Sequence, residues 1–226
     1  MQFRHQLRYH LLRLLRCSHE TADQLCREGQ IRVDGVVETD PRKTVEAHQE
    51  IRLGDQMLRQ GLRRKYLLFY KPVGFECTAN RNIEAHMYQL LPPEYQDFFP
   101  LGRLDLNSEG LLLLTNDGQT YKKWMEREAG IEKEYWVETW HPVTDGLVRA
   151  FEEPFLLGKR FTLPARFEKR GEFEFSVVLQ EGINRQIRRI CAKNQNQVKR
   201  LLRVRFGQMV LGQMQPGDLV EVPSFG

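Results

Sequence analysis

Leucines at positions 7, 11, 12, 14 and 15 recur at roughly helical spacing with arginines between them, which predicts an amphipathic helix over Leu7 to Leu15. A second helix follows: Ser18 is placed to cap it, Ala22, Leu25 and Cys26 give it an apolar face, and Gly29 ends it in a left-handed conformation. Ile31-Arg32-Val33 and Val36-Val37 then read as short strands joined by a tight turn at Asp34-Gly35, a pair that accepts the positive φ angles such turns require. One more strand is predicted at Ile51 to Leu53. Two helices and a small sheet make a compact first domain over residues 1–60, closed by the short polar linker Gln60-Gly61-Leu62-Arg63-Arg64.

The pattern changes in the second domain, residues 61–226. Tyr66 to Tyr70 reads as a strand closed by Lys71-Pro72, and Leu111 to Thr115 as a strand closed by a turn at Asn116-Asp117-Gly118. Lys133 to Thr139 and Phe173 to Leu179 alternate as further strands. Helices are expected at Ile83 to Leu91, Gln119 to Arg127, Asp145 to Phe151 and Asn184 to Lys193. The fold class predicted is α+β, with a largely antiparallel mixed sheet flanked by helices.

Composition narrows the function classes. The chain has 226 residues, 41% of them hydrophobic, which suffices for one sizeable core plus a smaller one. No apolar run approaches the length of a membrane span, and the first residues lack the apolar stretch of a signal peptide, so a cytoplasmic location without membrane attachment is expected. The four cysteines, Cys17, Cys26, Cys77 and Cys191, form no C-x-x-C pair, and neither a metal site nor a disulfide framework is expected. The net charge of +4 is modest, but it is unevenly placed. From Glu181 to Phe206 one acid faces Arg185, Arg188, Arg189, Lys193, Lys199, Arg200, Arg203 and Arg205, and Arg4, Arg8, Arg13 and Arg16 precede the first acid of the chain, Glu20.

Asp105, in Gly102-Arg103-Leu104-Asp105, stands between polar and glycine residues just before the leucine strand, where a fixed scaffold can present a carboxylate to a cleft. By itself such an aspartate is more often a turn or cap residue. Glu109 lies close enough in sequence to allow a carboxylate pair of the glycoside-hydrolysing kind, and a non-catalytic RNA-binding protein is a third reading.

Two resemblances bear on the choice. The segment Arg27-Glu28-Gly29-Gln30-Ile31-Arg32-Val33-Asp34-Gly35 is similar to the S4 RNA-binding domain, although that family's usual basic positions read Leu7-Arg8-Tyr9-His10 and Ser18-His19-Glu20 here. Gly102 to Asp105 with Gly110-Leu111-Leu112-Leu113-Leu114-Thr115-Asn116-Asp117-Gly118 resembles the signature of the RsuA/RluB/RluE/RluF-type ribosomal RNA pseudouridine synthases. The likeness extends through Lys65-Tyr66 to Lys71-Pro72, Glu132-Lys133-Glu134-Tyr135 and Glu181-Gly182-Ile183-Asn184-Arg185-Gln186-Ile187-Arg188-Arg189.

The resemblance implies an isomerase that turns a uridine of ribosomal RNA into pseudouridine with no cofactor and no metal. Asp105 would be its catalytic carboxylate, Arg188 the cation paired with it, Tyr135 the aromatic packed on the target base and Ile187 an apolar wall of the same pocket. Arg103, Lys71, Arg185 and Arg189 would hold the RNA backbone, since such cations neutralise phosphates without reading sequence. The wording Asn184 to Arg189 is closer to members acting on large-subunit 23S rRNA than to the 16S enzyme. The partner implied is ribosomal RNA or an assembly intermediate of the ribosome, and nothing demands more than a monomer.

Overall fold

The computed structural model describes residues 6–46, 48–61, 63–80, 82–126 and 130–225. Among the expectations above, Arg4, Leu62 and the helix end at Arg127 lie outside them. The chain divides into two compact units, one of Met1–Arg64 with Asn116–Gly118, the other of Lys65–Thr115 with Gln119–Gly226.

The first unit contains α1 (Leu7–Leu15), α2 (His19–Arg27), β1 (Ile31–Val33), β2 (Val36–Val37), β3 (Ile51–Leu53) and β4 (Gln56–Arg59), the strands ordered β2-β1-β3-β4. Ser18 caps α2 by accepting from the Thr21 N–H at 3.1 Å, and Gly29 follows the helix at φ +68°. Asp34 and Gly35 both take positive φ, +50° and +78°, as the two-residue hairpin turn requires. Leu7, Leu11, Ala22, Cys26, Ile31 and Ile51 form a core closed to solvent. Of these elements the hydrophobic pattern does not signal β4, which has no strict alternation. Arg8 is not free surface charge, because its guanidinium grips Asp23 at 2.6 and 2.5 Å.

The second unit runs β5 (Tyr66–Lys71), β6 (Phe99–Leu101), β7 (Glu109–Thr115), α3 (Gly118–Glu126), β8 (Lys133–Thr139), α4 (Asp145–Glu152), β9 (Leu156–Leu157), β10 (Arg160–Phe161), β11 (Arg166–Lys169), β12 (Glu174–Leu179), α5 (Gln186–Lys193), β13 (Val198–Phe206), β14 (Met209–Val210) and β15 (Leu219–Val222). Its main sheet has the order β11-β12-β8-β13-β7-β5-β15, with β6 added to β7 and β14 to β13. Its pairings are antiparallel except that of β13 with β7.

β7 explains its own sequence. Every one of its positions is buried, because both faces of the sheet are covered there. Leu112 and Leu114 pack with Leu67, Phe69, Met87 and Phe98 on one side, while Leu111 and Leu113 pack with Leu68, Tyr70 and Phe206 on the other. A strand buried twice over reads as a continuous apolar run. The edge of β7 away from β5 forks: β13 lies beside Glu109 and Gly110, whereas β6 lies beside Leu113 to Thr115. The segment from Gly102 to Ser108, which links β6 to β7, therefore leaves and rejoins the sheet at this fork.

Three expectations are corrected. Ile83 to Leu91 is not an α-helix; only Met87–Leu90 makes a 3-10 turn. Glu76 draws this stretch into an extended course, through a bridge to His86 and a hydrogen bond from the Met87 N–H to the Glu76 carbonyl. The helix expected from Asn184 starts at Gln186, since Arg185 before it adopts a left-handed φ of +52°. Finally, the stretch from Glu181 to Phe206 is less basic in space than in sequence. Glu109 takes Arg200 at 2.6 Å, Glu138 takes Lys199 at 2.5 Å, and Glu132 and Glu134 take Arg205 at 3.1 and 2.9 Å.

Candidate active site

In the second unit a cleft of about 720 Å³ opens over the fork, and Asp105, Arg103, Tyr135, Arg185, Ile187 and Arg203 are among the residues lining it. These side chains come from the link before β7, from β8, from α5 and its cap, and from β13. Asp105 is half-buried, and among the described residues its carboxylate joins no ion pair and accepts no hydrogen bond. Only its backbone is engaged, the carbonyl accepting from the Ser108 N–H at 3.0 Å. A carboxylate held on a fixed turn with its oxygens unspent is available to a ligand.

Tyr135 faces the cleft from β8, half-buried and packed against the core formed by β8, β12, α4 and α5. Ile187, 4% exposed, belongs to the same core and turns one side to the cleft, so it serves as wall and packing at once. Arg103 and Arg185 are exposed on the lining, where their charge faces whatever enters.

The other expected residues lie elsewhere. Arg188 does not line the cleft and forms no direct ion pair with Asp105. Its guanidinium instead donates to the Asn107 carbonyl at 2.5 Å and to the Val198 carbonyl at 3.2 Å, and its buried Nε is left unpaired among the described residues. Burial lowers its pKa below the ordinary arginine value, Arg185 pulls the same way, and Asp105 opposes them. Arg189 is also off the lining and donates to the Asn184 carbonyl at 3.4 Å.

Lys71 requires a correction. It is wholly buried and donates to the carbonyls of Pro72 and Phe75 at 2.8 and 2.9 Å, so it offers no charge to a phosphate. Burial holds its pKa below the usual lysine value, and Cys77, Glu109 and Asp105 oppose that shift. Glu109 is not a second cleft carboxylate. Arg200 holds one of its oxygens and the Tyr70 hydroxyl the other, at 2.6 and 2.9 Å, which removes the basis for a paired-carboxylate hydrolase.

Two lining residues carry no sequence signal of a site. Cys77 receives the Leu104 N–H at 3.4 Å, and its thiol pKa is raised by burial. Arg203, 1% exposed, stands on β13 directly opposite Tyr135. Leu202, Val204 and Phe206 alternate with Arg203 and Arg205, so Arg203 reads as surface, and the register shift between Arg203 and Arg205 that breaks this alternation leaves no mark in the sequence.

Comparison with known proteins now bears on this geometry. Residues 65–193 match the family model of RNA pseudouridylate synthases. The chain belongs to that family. It is 33% identical over 211 residues to the ribosomal small subunit pseudouridine synthase A of Pseudomonas aeruginosa, covering 92% of each chain. It is 28% identical to the dual-specificity RNA pseudouridine synthase RluF of Escherichia coli, over 89% of this chain and 70% of that one. A crystal structure of a pseudouridylate synthase superposes with a TM-score of 0.67 at 25% identity, covering 96% of this chain and 95% of that chain. This protein is therefore an RNA pseudouridine synthase of the RsuA/RluF type, an isomerase, and the cleft at the fork lies in the unit that carries the family match.

Proposed function

We propose that this synthase isomerises one uridine of ribosomal RNA, with Asp105 as its catalytic carboxylate. The observation carrying this reading is that Asp105 lies in a single cleft with Tyr135 and Ile187 while its carboxylate remains unspent among the described residues. The reaction breaks the bond from uracil N1 to ribose C1′ and rejoins C1′ to C5. The hydrogen on C5 is released as N1 gains one, so nothing is oxidised and no atom is gained overall. An ionised carboxylate beside C1′ can attack it or stabilise the cation left by glycosidic cleavage.

Tyr135 gives the everted base an aromatic face that compensates part of its lost stacking, and Ile187 closes the pocket on the apolar side. Arg103 and Arg185 hold flanking phosphates. Arg188 acts on Asp105 through the loop it anchors and through its charge. The S4-like first unit adds RNA contacts through exposed Arg13 and Arg16. A cytoplasmic, monomeric enzyme acting on ribosomal RNA or an assembly particle fits this picture, and it needs no metal and no cofactor.

The subunit is the open choice between two signals. The Asn184 to Arg189 wording favours 23S rRNA, whereas the 33%-identical relative is named for the small subunit. Tritium release from 16S and 23S rRNA, each carrying 5-tritiated uridine, separates them. Release from 23S alone supports the first, release from 16S alone the second, and release from neither, free or in particles, would sink the ribosomal assignment.

A further inference from the structure

We propose that Arg203 is a positioning residue for Asp105: a buried guanidinium that pins both ends of the segment carrying the carboxylate and so fixes its place in the cleft. This rests on the reading of Asp105 as the catalytic carboxylate.

β13 reaches the fork at Arg203. On one side Arg203 is level with Tyr135 of β8, and on the other with Gly110 of β7, in the one parallel junction of the sheet. Past Gly110 the backbones of β13 and β7 separate, and β6 does not join β7 until Leu113. The Leu111 carbonyl falls in this gap, and Arg203 Nε donates to it at 2.7 Å. Nη1 of the same guanidinium donates to the Arg103 carbonyl at 3.3 Å. Arg103 and Leu111 flank the segment with Asp105 between them. Arg188, from α5, takes the Asn107 carbonyl in the middle of that segment. The loop is thus held at three carbonyls by two cations on separate elements.

The sequence is built to allow this. Gly110, at φ +107°, passes so close to β13 that a Cβ there would run into the Arg203 carbonyl oxygen. A side chain at 110 would push Arg203 off the fork, which gives the glycine of the leucine segment a physical reason. The inward position of β13 also asks for an apolar residue, as at Leu201 and Phe206, both buried. Arg203 takes that place at 1% exposure, its guanidinium 4.9 Å from the Phe206 ring and its buried Nη2 without a hydrogen-bond partner among the described residues. Burying a cation with a donor unspent costs stability that a leucine or methionine would not. A residue selected for packing alone would not carry that cost; one that orients the loop through two carbonyls at once has a reason to.

Arg203→Met and Arg203→Lys in the full-length protein test this, with Asp105→Asn alongside. The assay is single-turnover tritium release from ribosomal RNA carrying 5-tritiated uridine, with enzyme in excess and its concentration varied. In Arg203→Met the rate constant should fall about 100-fold, the scale of an ångström-sized misplacement, while the half-saturating concentration stays within about threefold. Arg203→Lys should fall about tenfold, because an ammonium lacks the planar fork that spans two acceptors. Protein that misfolds lowers the concentration of active enzyme, which raises the apparent half-saturating concentration and leaves the saturating rate constant alone, so a merely structural role would give a wild-type rate constant and overturn the inference. Should Arg203→Met fail to fold, Arg203→Lys decides: a tenfold slower rate constant supports the clamp, and a wild-type one overturns it. Loss confined to Asp105→Asn would overturn the role of Arg203 alone, whereas turnover retained by Asp105→Asn would overturn the reading of Asp105.

Discussion

Lysine and arginine do two different jobs around this cleft, and depth separates them. Lys71, off the lining, and Arg203, on it, are closed to solvent and spend their N–H groups on backbone carbonyls of Pro72, Phe75, Arg103 and Leu111. Arg103 and Arg185, on the same lining as Arg203, are exposed. By residue type alone all four are cations of one class. Burial assigns the first pair to holding loops and leaves only the second free to meet a phosphate.

Substitutions sharpen the contrast, the deepest having the largest effect. Lys71→Met should lower unfolding stability by about 2–4 kcal/mol, because two carbonyls lose their donor inside the protein. Chemical denaturation followed by tryptophan fluorescence would measure it, and a loss below about 0.5 kcal/mol would place Lys71 with the surface cations. The double change Arg103→Ala with Arg185→Ala should leave stability within about 0.5 kcal/mol. It should weaken RNA binding about tenfold and reduce the salt dependence of log Kd by about 2, one for each phosphate no longer neutralised. An unchanged salt slope in a filter-binding titration would remove both from the RNA interface. Arg13→Ala with Arg16→Ala, on the first unit and off the cleft lining, should weaken binding by only about threefold.

What the sequence made legible follows the same division between local and distant causes. The helix pair, the Asp34-Gly35 turn and the leucine strand depend on spacing and on residues with special backbone preferences, and each stands where it was expected. Asp105, Tyr135, Arg103, Arg185 and Ile187, marked by a family resemblance, do share one cleft. Failures came where a partner outside the segment decides. Ile83 to Leu91 has apolar spacing that suits a helix, yet its course is set by pairing with Glu76. The basic run ending at Phe206 conceals β13, whose arginines find Glu109, Glu132 and Glu134 on neighbouring segments, and whose Arg203 turns inward. Charge counted along a sequence cannot show which acids folding will bring to it.

Tyr135 offers a finer test of the cleft. Tyr135→Phe should keep stacking and stability, so any loss of rate belongs to the hydroxyl. Tyr135→Ala should cost about ten times more than Tyr135→Phe in the tritium-release rate, on the scale of about 1–3 kcal/mol for one base–aromatic stack. Equal losses in the two would argue against a base packed on the ring.

The most direct test of the central claim compares chemistry with binding in one variant. Purified wild-type protein and Asp105→Asn would be assayed for tritium release from 5-tritiated ribosomal RNA and, on the same RNA, for affinity. Release abolished in Asp105→Asn with Kd within about threefold of wild type is the expected result, since a carboxamide fills the same space without the charge. Release that persists in the variant, or binding lost in step with it, would contradict the assignment of Asp105 as the catalytic carboxylate.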